Sequence, residues 1–285
     1  MICHLAVRRA LTSSSGCACR HSLRLRAYFA ATVLLMLVSP PSEGAPINYG
    51  SHPGVAVDYI DVTEDSTTGN ATPLFGPPIV TGNSIDFNPV GFDAVASGAG
   101  GSDSTGARLI FVIESHSGRA ITHLNLSESG DTTLAGAGTN LTSSQVTATG
   151  TITISQVDGF AITPIVRPIT LSFTPSGGDY GLVSDGGGLP VFHTSWTGSQ
   201  SINLAQILTS EAVPFTLGAT AIAVDLTNTL TATSEAGTAA VINKQDFGGI
   251  SITVVVPEPA SIILAALGLL VSTGRRGVQH SCSHF

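Results

Sequence analysis

Cysteine is missing from the long middle of this chain. All four, Cys3, Cys17, Cys19 and Cys282, lie near the ends of the 285 residues, and none falls between Ala45 and Val256. That excludes disulfide staples and thiolate chemistry from those 212 residues, a length that buries a core large enough to do without staples. Basic side chains are nearly as scarce there. Arg108, Arg119, Arg167 and Lys244 stand against seventeen acids, a formal charge of −13. The balance argues against nucleic acid, whose binding needs Lys and Arg to displace counterions. It also argues against an anionic membrane surface as a resting place. Aromatics make up only 6% of residues, too few for the several exposed rings by which carbohydrate readers stack on sugars. The single tryptophan, Trp196, sits near His193 and reads as a core residue rather than a stacking platform.

Catalytic and cofactor patterns are missing too. His52, His116, His123 and His193 are well separated, with no His-Glu-x-x-His and no Cys-His spacing for zinc. His116 and His123 flank an expected hairpin around Ser117 and Gly118, and read as surface polar residues. No serine occupies a Gly-x-Ser-x-Gly elbow. Gly136-Ala137-Gly138 lacks the third glycine and the βαβ setting of a nucleotide loop. Asp58, Asp61, Glu64 and Asp65 form the densest acidic group, the kind that supplies oxygen ligands to calcium. Without an Asp-x-Asp-x-Asp-Gly loop, and with Asp58 beside apolar Tyr59 and Ile60, it reads as a solvated strand face. No cofactor and no metal site is expected. The sequons at Asn70, Asn125 and Asn140 are what a threonine-rich chain contains by chance.

What is there is alternation. From Val146 to Ser155, Val146, Ala148, Gly150, Ile152 and Ile154 share one face, and Thr147, Thr149, Thr151, Thr153 and Ser155 the other. Period two with β-branched residues predicts a half-buried strand. Ile250 to Val256 repeats the pattern, as does Thr220 to Ala232 with Ile222, Val224, Leu226 and Leu230 inward. Further strands are expected at 55–62, 84–88, 108–114, 120–126, 165–173 and 190–196. Gly-, Asn- and Asp-rich clusters at 81–83, 97–102, 176–179 and 184–188 supply turns. Only Asn203 to Glu211, with Leu204 and Leu208 four apart, suggests a helix within this body. Nine or more strands with turns every 8 to 14 residues predict an all-β fold, an antiparallel β-sandwich or jelly roll.

The ends differ from the body. The first 26 residues carry five arginines (Arg8, Arg9, Arg20, Arg24, Arg26) and no acid, followed by an apolar run from Ala27 to Val38 and small residues to Ala45. This is the layout of a secretory signal peptide over residues 1–44, cleaved after Gly44. At the other end, Pro257-Glu258-Pro259 stops the last strand, because each proline removes a donor and fixes φ. An uncharged run from Ala260 to Gly274 follows, then Arg275-Arg276 and a polar tail. Fifteen helical residues span roughly 22 Å, short against a bilayer core of about 30 Å. The arginine pair would hold the end of that helix on the cytoplasmic side.

This order of features resembles the PEP-CTERM sorting signal of exported bacterial proteins. The residues that carry the resemblance are Pro257, Glu258 and Pro259 for the motif, Ala260 to Gly274 for the membrane helix, and Arg275 and Arg276 for the basic cluster. The tail from Gly277 to Phe285 is longer than in that family. The resemblance implies an exosortase-type membrane enzyme as processing partner and passage through the inner membrane before release to the cell surface or matrix. The expected organisation is then a signal peptide over 1–44, a secreted β domain over 45–256 and a sorting segment over 257–285. Two functions fit. One is a non-enzymatic surface or matrix protein, associated with exopolysaccharide or the cell envelope. The other is a secreted carbohydrate-active module, which would need exposed aromatics on a concave face or two carboxylates about 5 to 9.5 Å apart.

Overall fold

Strand β13 (Ala219–Ser234) shows how the pattern becomes structure: Ile222, Val224, Leu226, Asn228 and Leu230 are all buried, while Ala223, Asp225, Thr227 and Thr229 between them lie half-exposed. The computed structural model describes residues 45–245 and 250–257. The expected signal helix, the C-terminal helix, Glu258, Pro259, Arg275 and Arg276 lie outside those residues.

Strand β13 is the spine of a seven-stranded sheet. On one side it pairs with β6 (Gly101–Ser115), which pairs in turn with β2 (Val57–Ser66) and β2 with β1 (Ile47–Pro53). On the other side it pairs with β8 (Ser143–Val157), whose far edge takes both β9 (Phe160–Thr170) and β11 (Asp179–Gly181). In β8 Val146, Ala148, Ile152 and Ile154 are buried as the alternation predicts, together with Ser144 and Val157, while Gly150 is half-buried. Its outward threonines Thr147 and Thr149 lie opposite Thr229 and Thr227 of β13.

The second, eight-stranded sheet is built on β7 (His123–Ala135). One edge of β7 pairs along its whole length with β12 (Val191–Asn203), beyond which lies β10 (Ser172–Thr174). The other edge is shared end to end. Strand β15 (Ile250–Val255) takes His123 to Glu128, and β14 (Ala239–Lys244) takes Gly130 to Ala135. Outward from β15 come β4 (Ser84–Phe87) and β3 (Ile79–Thr81), and outward from β14 comes β5 (Asp93–Ser97). Every pairing in both sheets is antiparallel.

The two sheets contribute to one core. Phe75 packs against Phe87 and Phe92 with ring centroids 6.1 and 5.1 Å apart, Tyr59 against Phe111, and Phe173 against Trp196. Burying side chains of this size contributes about 1.5–3 kcal/mol each, which explains why no disulfide is needed. Helix α1 (Leu204–Ser210) follows β12 directly: the Asn203 side chain accepts from the Gln206 backbone N–H at 2.9 Å, and Leu204 and Leu208 point into the core. The helix is the one expected between Asn203 and Glu211. The single strand expected at 165–173 divides at Leu171 into β9 and β10, which lie in different sheets, and two other expectations about strands change. Strand β7 runs on to Ala135, where the sequence reading ended it at Leu126, and β6 starts at Gly101, inside the glycine cluster read as a turn.

Candidate functional site

The expected sorting motif leaves the fold from the interior of the second sheet. Strand β15 lies between β7 and β4, with Thr253 opposite Asn125 on one side and Ser84 on the other. Its last turn of ladder is tightly held. The Val254 N–H donates to the Asn83 carbonyl at 3.0 Å, and the Thr122 N–H and hydroxyl donate to the Val255 carbonyl at 2.9 and 3.1 Å. Pairing ends at Val255, one residue before the predicted Val256, and Pro257 stands just outside the ladder. A proline there costs nothing, since no strand awaits its missing N–H. Of the predicted motif residues the structure describes Pro257 alone.

The acidic group on β2 is corrected by the structure. Glu64, read as part of a solvated face, is fully buried. Its carboxylate accepts from the Tyr49 hydroxyl at 2.7 Å and from the backbone N–H groups of Leu74 and Phe75. Burial first, then Glu64's hydrogen bond and charge, push the Tyr49 hydroxyl up. Register explains the inversion: the β2–β6 pairing shifts between Ile60 and Thr63, at Asp61 with φ +53°, and flips the residues after it to the other face. Asp58 remains outside and pairs with His116 at 3.1 Å. His193 bonds the Thr133 hydroxyl, and His52 the Tyr49 carbonyl. Among the described residues no three His, Cys, Asp or Glu side chains converge to hold a metal ion.

Two surface carboxylates, Asp185 and Asp158, are committed to loops. A cleft of about 370 Å³ is lined by Asn140, Gln145, Asp179, Tyr180 and Asp185, among others. Desolvation pushes the Asp185 carboxyl up, but hydrogen bonds from the Gly181 N–H and the Ser176 and Ser184 hydroxyls outweigh it and hold the group below its ordinary range. Asp158 is held down in the same way by the backbone N–H groups of Gly218, Thr216 and Leu217. Both organise turns, and neither is aimed at open space with a free oxygen for proton transfer.

The densest polar chemistry lies between the sheets, where the sequence reading placed none. Lys244, the only lysine in the chain, is fully buried. It ends β14 with its N–H on the Phe92 carbonyl at 3.0 Å. Its Nζ donates to Glu128 Oε2 of β7 at 2.7 Å and to Asn228 Oδ1 of β13 at 3.0 Å. The rings of Phe92 and Trp196 each stand 5.4 Å from Nζ. Desolvation drives the Lys244 ammonium below its ordinary range, with Glu128 restoring part of the loss. Glu128 Oε1, Asn228 Nδ2 and Trp196 Nε1 have no hydrogen-bond partner. Trp196 is 1% exposed, a core residue as expected, and lies opposite Gly130, which itself lies opposite Lys244. Asn228 was the one member of this centre with a signal in the sequence: it falls on the inward face of the strand expected at 220–232, between Leu226 and Leu230, whereas Glu128 and Lys244 lie outside the expected strands.

Residues 255–277 match the sequence model of the PEP-CTERM protein-sorting motif. No curated protein matches the chain. Among solved structures, the enzymatically active domain of tailspike protein 4 from bacteriophage CBA120 shares 8% identity at a TM-score of 0.19, over 59% of this chain and 20% of the tailspike. A loop-swap mutant of Xyn11A from Necallimastix patriciarum shares 10% at 0.21, over 74% of this chain and all of the other. The VP2 subviral particle of infectious bursal disease virus shares 15% at 0.17, over 75% and 59%. Likenesses this weak carry no argument about fold or function.

Proposed function

We propose, from the premise that this chain carries a PEP-CTERM sorting signal, that it is a non-enzymatic β-sandwich protein sorted by an exosortase-type enzyme to the cell envelope or its exopolysaccharide. The observation that carries the reading is the meeting of signal and fold: the matched segment begins at Val255, the residue where β15 ends. The described fold passes its last paired residue, Val255, before the motif begins, so a cut at Pro257-Glu258-Pro259 would remove none of the described strands. The prolines keep backbone groups available that a helix would hide. Glu258 supplies a charge for a basic pocket, and Arg275 and Arg276 orient the short helix.

Support for a non-enzymatic role comes from how the carboxylates are used. Glu64, Asp158 and Asp185 are occupied by backbone and hydroxyl donors that shape loops. Support for a hydrated polysaccharide setting comes from the net acidity of the body and from the outward threonines of β8 and β13, a row of hydroxyls able to bond sugar hydroxyls.

The test is mass spectrometry of both termini of the native protein, comparing wild type with Glu258→Ala and with Arg275→Ser/Arg276→Ser. The expected wild-type product begins near Ala45 and lacks Arg275 and Arg276, while the variants accumulate as inner-membrane precursor with a folded body. A wild-type surface fraction still ending at Phe285 would sink the sorting reading.

A further inference from the structure

We infer that Lys244 and Asn228 are partners in an intramolecular amide bond, formed with the help of Glu128, that joins the two sheets through the core. The inference is independent of the sorting reading and rests on the geometry of the buried centre. An amine, a carboxamide and a carboxyl group meet in a space closed by Phe92 and Trp196. Nζ stands 3.0 Å from Oδ1, which brings the adjacent Cγ near the roughly 3–3.5 Å of an attacking nucleophile.

As a permanent ion pair the arrangement is poor. Two charges leave water, yet Glu128 Oε1 and Asn228 Nδ2 go without partners, and a buried pair offsets its desolvation only when its remaining hydrogen bonds are made. As a set of reactants the same arrangement makes sense. Burial favours the neutral amine of Lys244, the form that is nucleophilic. The proton it gives up passes to Glu128, whose Oε2 it already touches.

The step balances without any other reagent. The Nζ lone pair attacks Asn228 Cγ, and an Nζ–Cγ bond forms. Glu128, now the acid, delivers its proton to Nδ2 and takes one back from the cationic Nζ. The Cγ–Nδ2 bond breaks, and ammonia leaves to be protonated in water. The product is a neutral secondary amide, with Glu128 restored to its acid form and able to hydrogen-bond the new group. Both the buried ammonium and the unpartnered NH2 of Asn228 disappear. The bond spans β13 and β14, consecutive strands that lie in opposite sheets. A body without cysteine thereby acquires a covalent clasp that no reductant opens.

Protein produced from the full-length chain is purified, denatured and digested without reference to Lys244 as a cleavage site, and the peptides are weighed. The expected result is one branched peptide carrying both Asn228 and Lys244, lighter than its two parts by one ammonia. Two linear peptides at their sequence masses from folded wild-type protein would overturn the inference. Asn228→Asp should give the same branched peptide lighter by one water instead, since water replaces ammonia as the product lost. Glu128→Ala, checked for folding by circular dichroism, should yield linear peptides. If it forms the bond as fast as wild type, the assignment of Glu128 as proton carrier falls.

Discussion

Replacing Gly130 by alanine tests the packing on which the buried centre depends. Gly130 lies between Trp196 on β12 and Lys244 on β14. Its φ is outside the left-handed region, so alanine meets no backbone penalty, and any loss is steric. An added Cβ would stand 2.1 Å from the Asn243 carbonyl oxygen and 2.2 and 2.4 Å from two indole carbons. The indole could tilt, but the carbonyl belongs to the neighbouring strand and can move only if β14 moves. Overpacking of this kind costs about 1–3 kcal/mol. With backbone among the clashing atoms the upper end applies, and the smaller entropy of the unfolded alanine chain offsets roughly 0.4–1 kcal/mol of it. For a body of about 200 residues, a net loss of about 2–2.5 kcal/mol lowers Tm by about 4–10 °C. Thermal melts followed by circular dichroism measure this directly, with tryptophan emission as a local readout. A variant melting within about 1 °C of wild type, with unchanged emission, would refute the claim that the indole lies over Gly130.

Other perturbations follow from the same structure. Trp196→Ala removes a ring that is 1% exposed and should cost about 3–5 kcal/mol in urea unfolding. Asn203→Ala loses only the cap on α1 and should cost about 1 kcal/mol. Acid should destabilise the body partly through Asp158. Its folded carboxyl is held below the ordinary 3.8 by three backbone N–H groups that outweigh desolvation, so its contribution is complete above that value and lost as pH falls through the folded one. Asp158→Asn should flatten that part of the acid limb in melts below pH 5 or so. A reducing agent should leave the Tm of the 45–256 body unchanged, and a shift would contradict its lack of cysteine.

Strands with one apolar and one polar face were legible in the sequence. β8 and β13 needed nothing but the alternation of Val146 to Ile154 and Ile222 to Leu230, and Asn203 announced the helix it caps. The second half of β7 was not legible, because Glu128, Gly130 and Thr132 occupy the inward positions where apolar residues would mark a strand. Strand β14 ends in Lys244 for the same reason. What makes those residues acceptable inside is one another, and partners 16 and 116 residues apart leave no local trace. Glu64 illustrates a different limit. Its burial depends on a register shift and on backbone groups 10 and 11 residues away, neither of which a periodicity can show. At the C terminus the order of motif, apolar run and arginine pair was readable directly, because a sorting signal is recognised as a linear segment.

The interior position of β15 sets a boundary on where the chain can be cut. The strand bridges β7 to β4, with Thr253 opposite residues 125 and 84. A cut after Val255 leaves both ladders whole. A cut a few residues earlier would pull the wedge from the middle of the sheet and expose two facing rows of unpaired N–H and C=O groups, the kind of edge that recruits strands from other molecules. The same wedge is the last strand of the body in chain order, so the second sheet cannot close until the residues adjoining the sorting segment are in place. Closure of the second sheet therefore sets Val255, where the matched segment begins, in its final place.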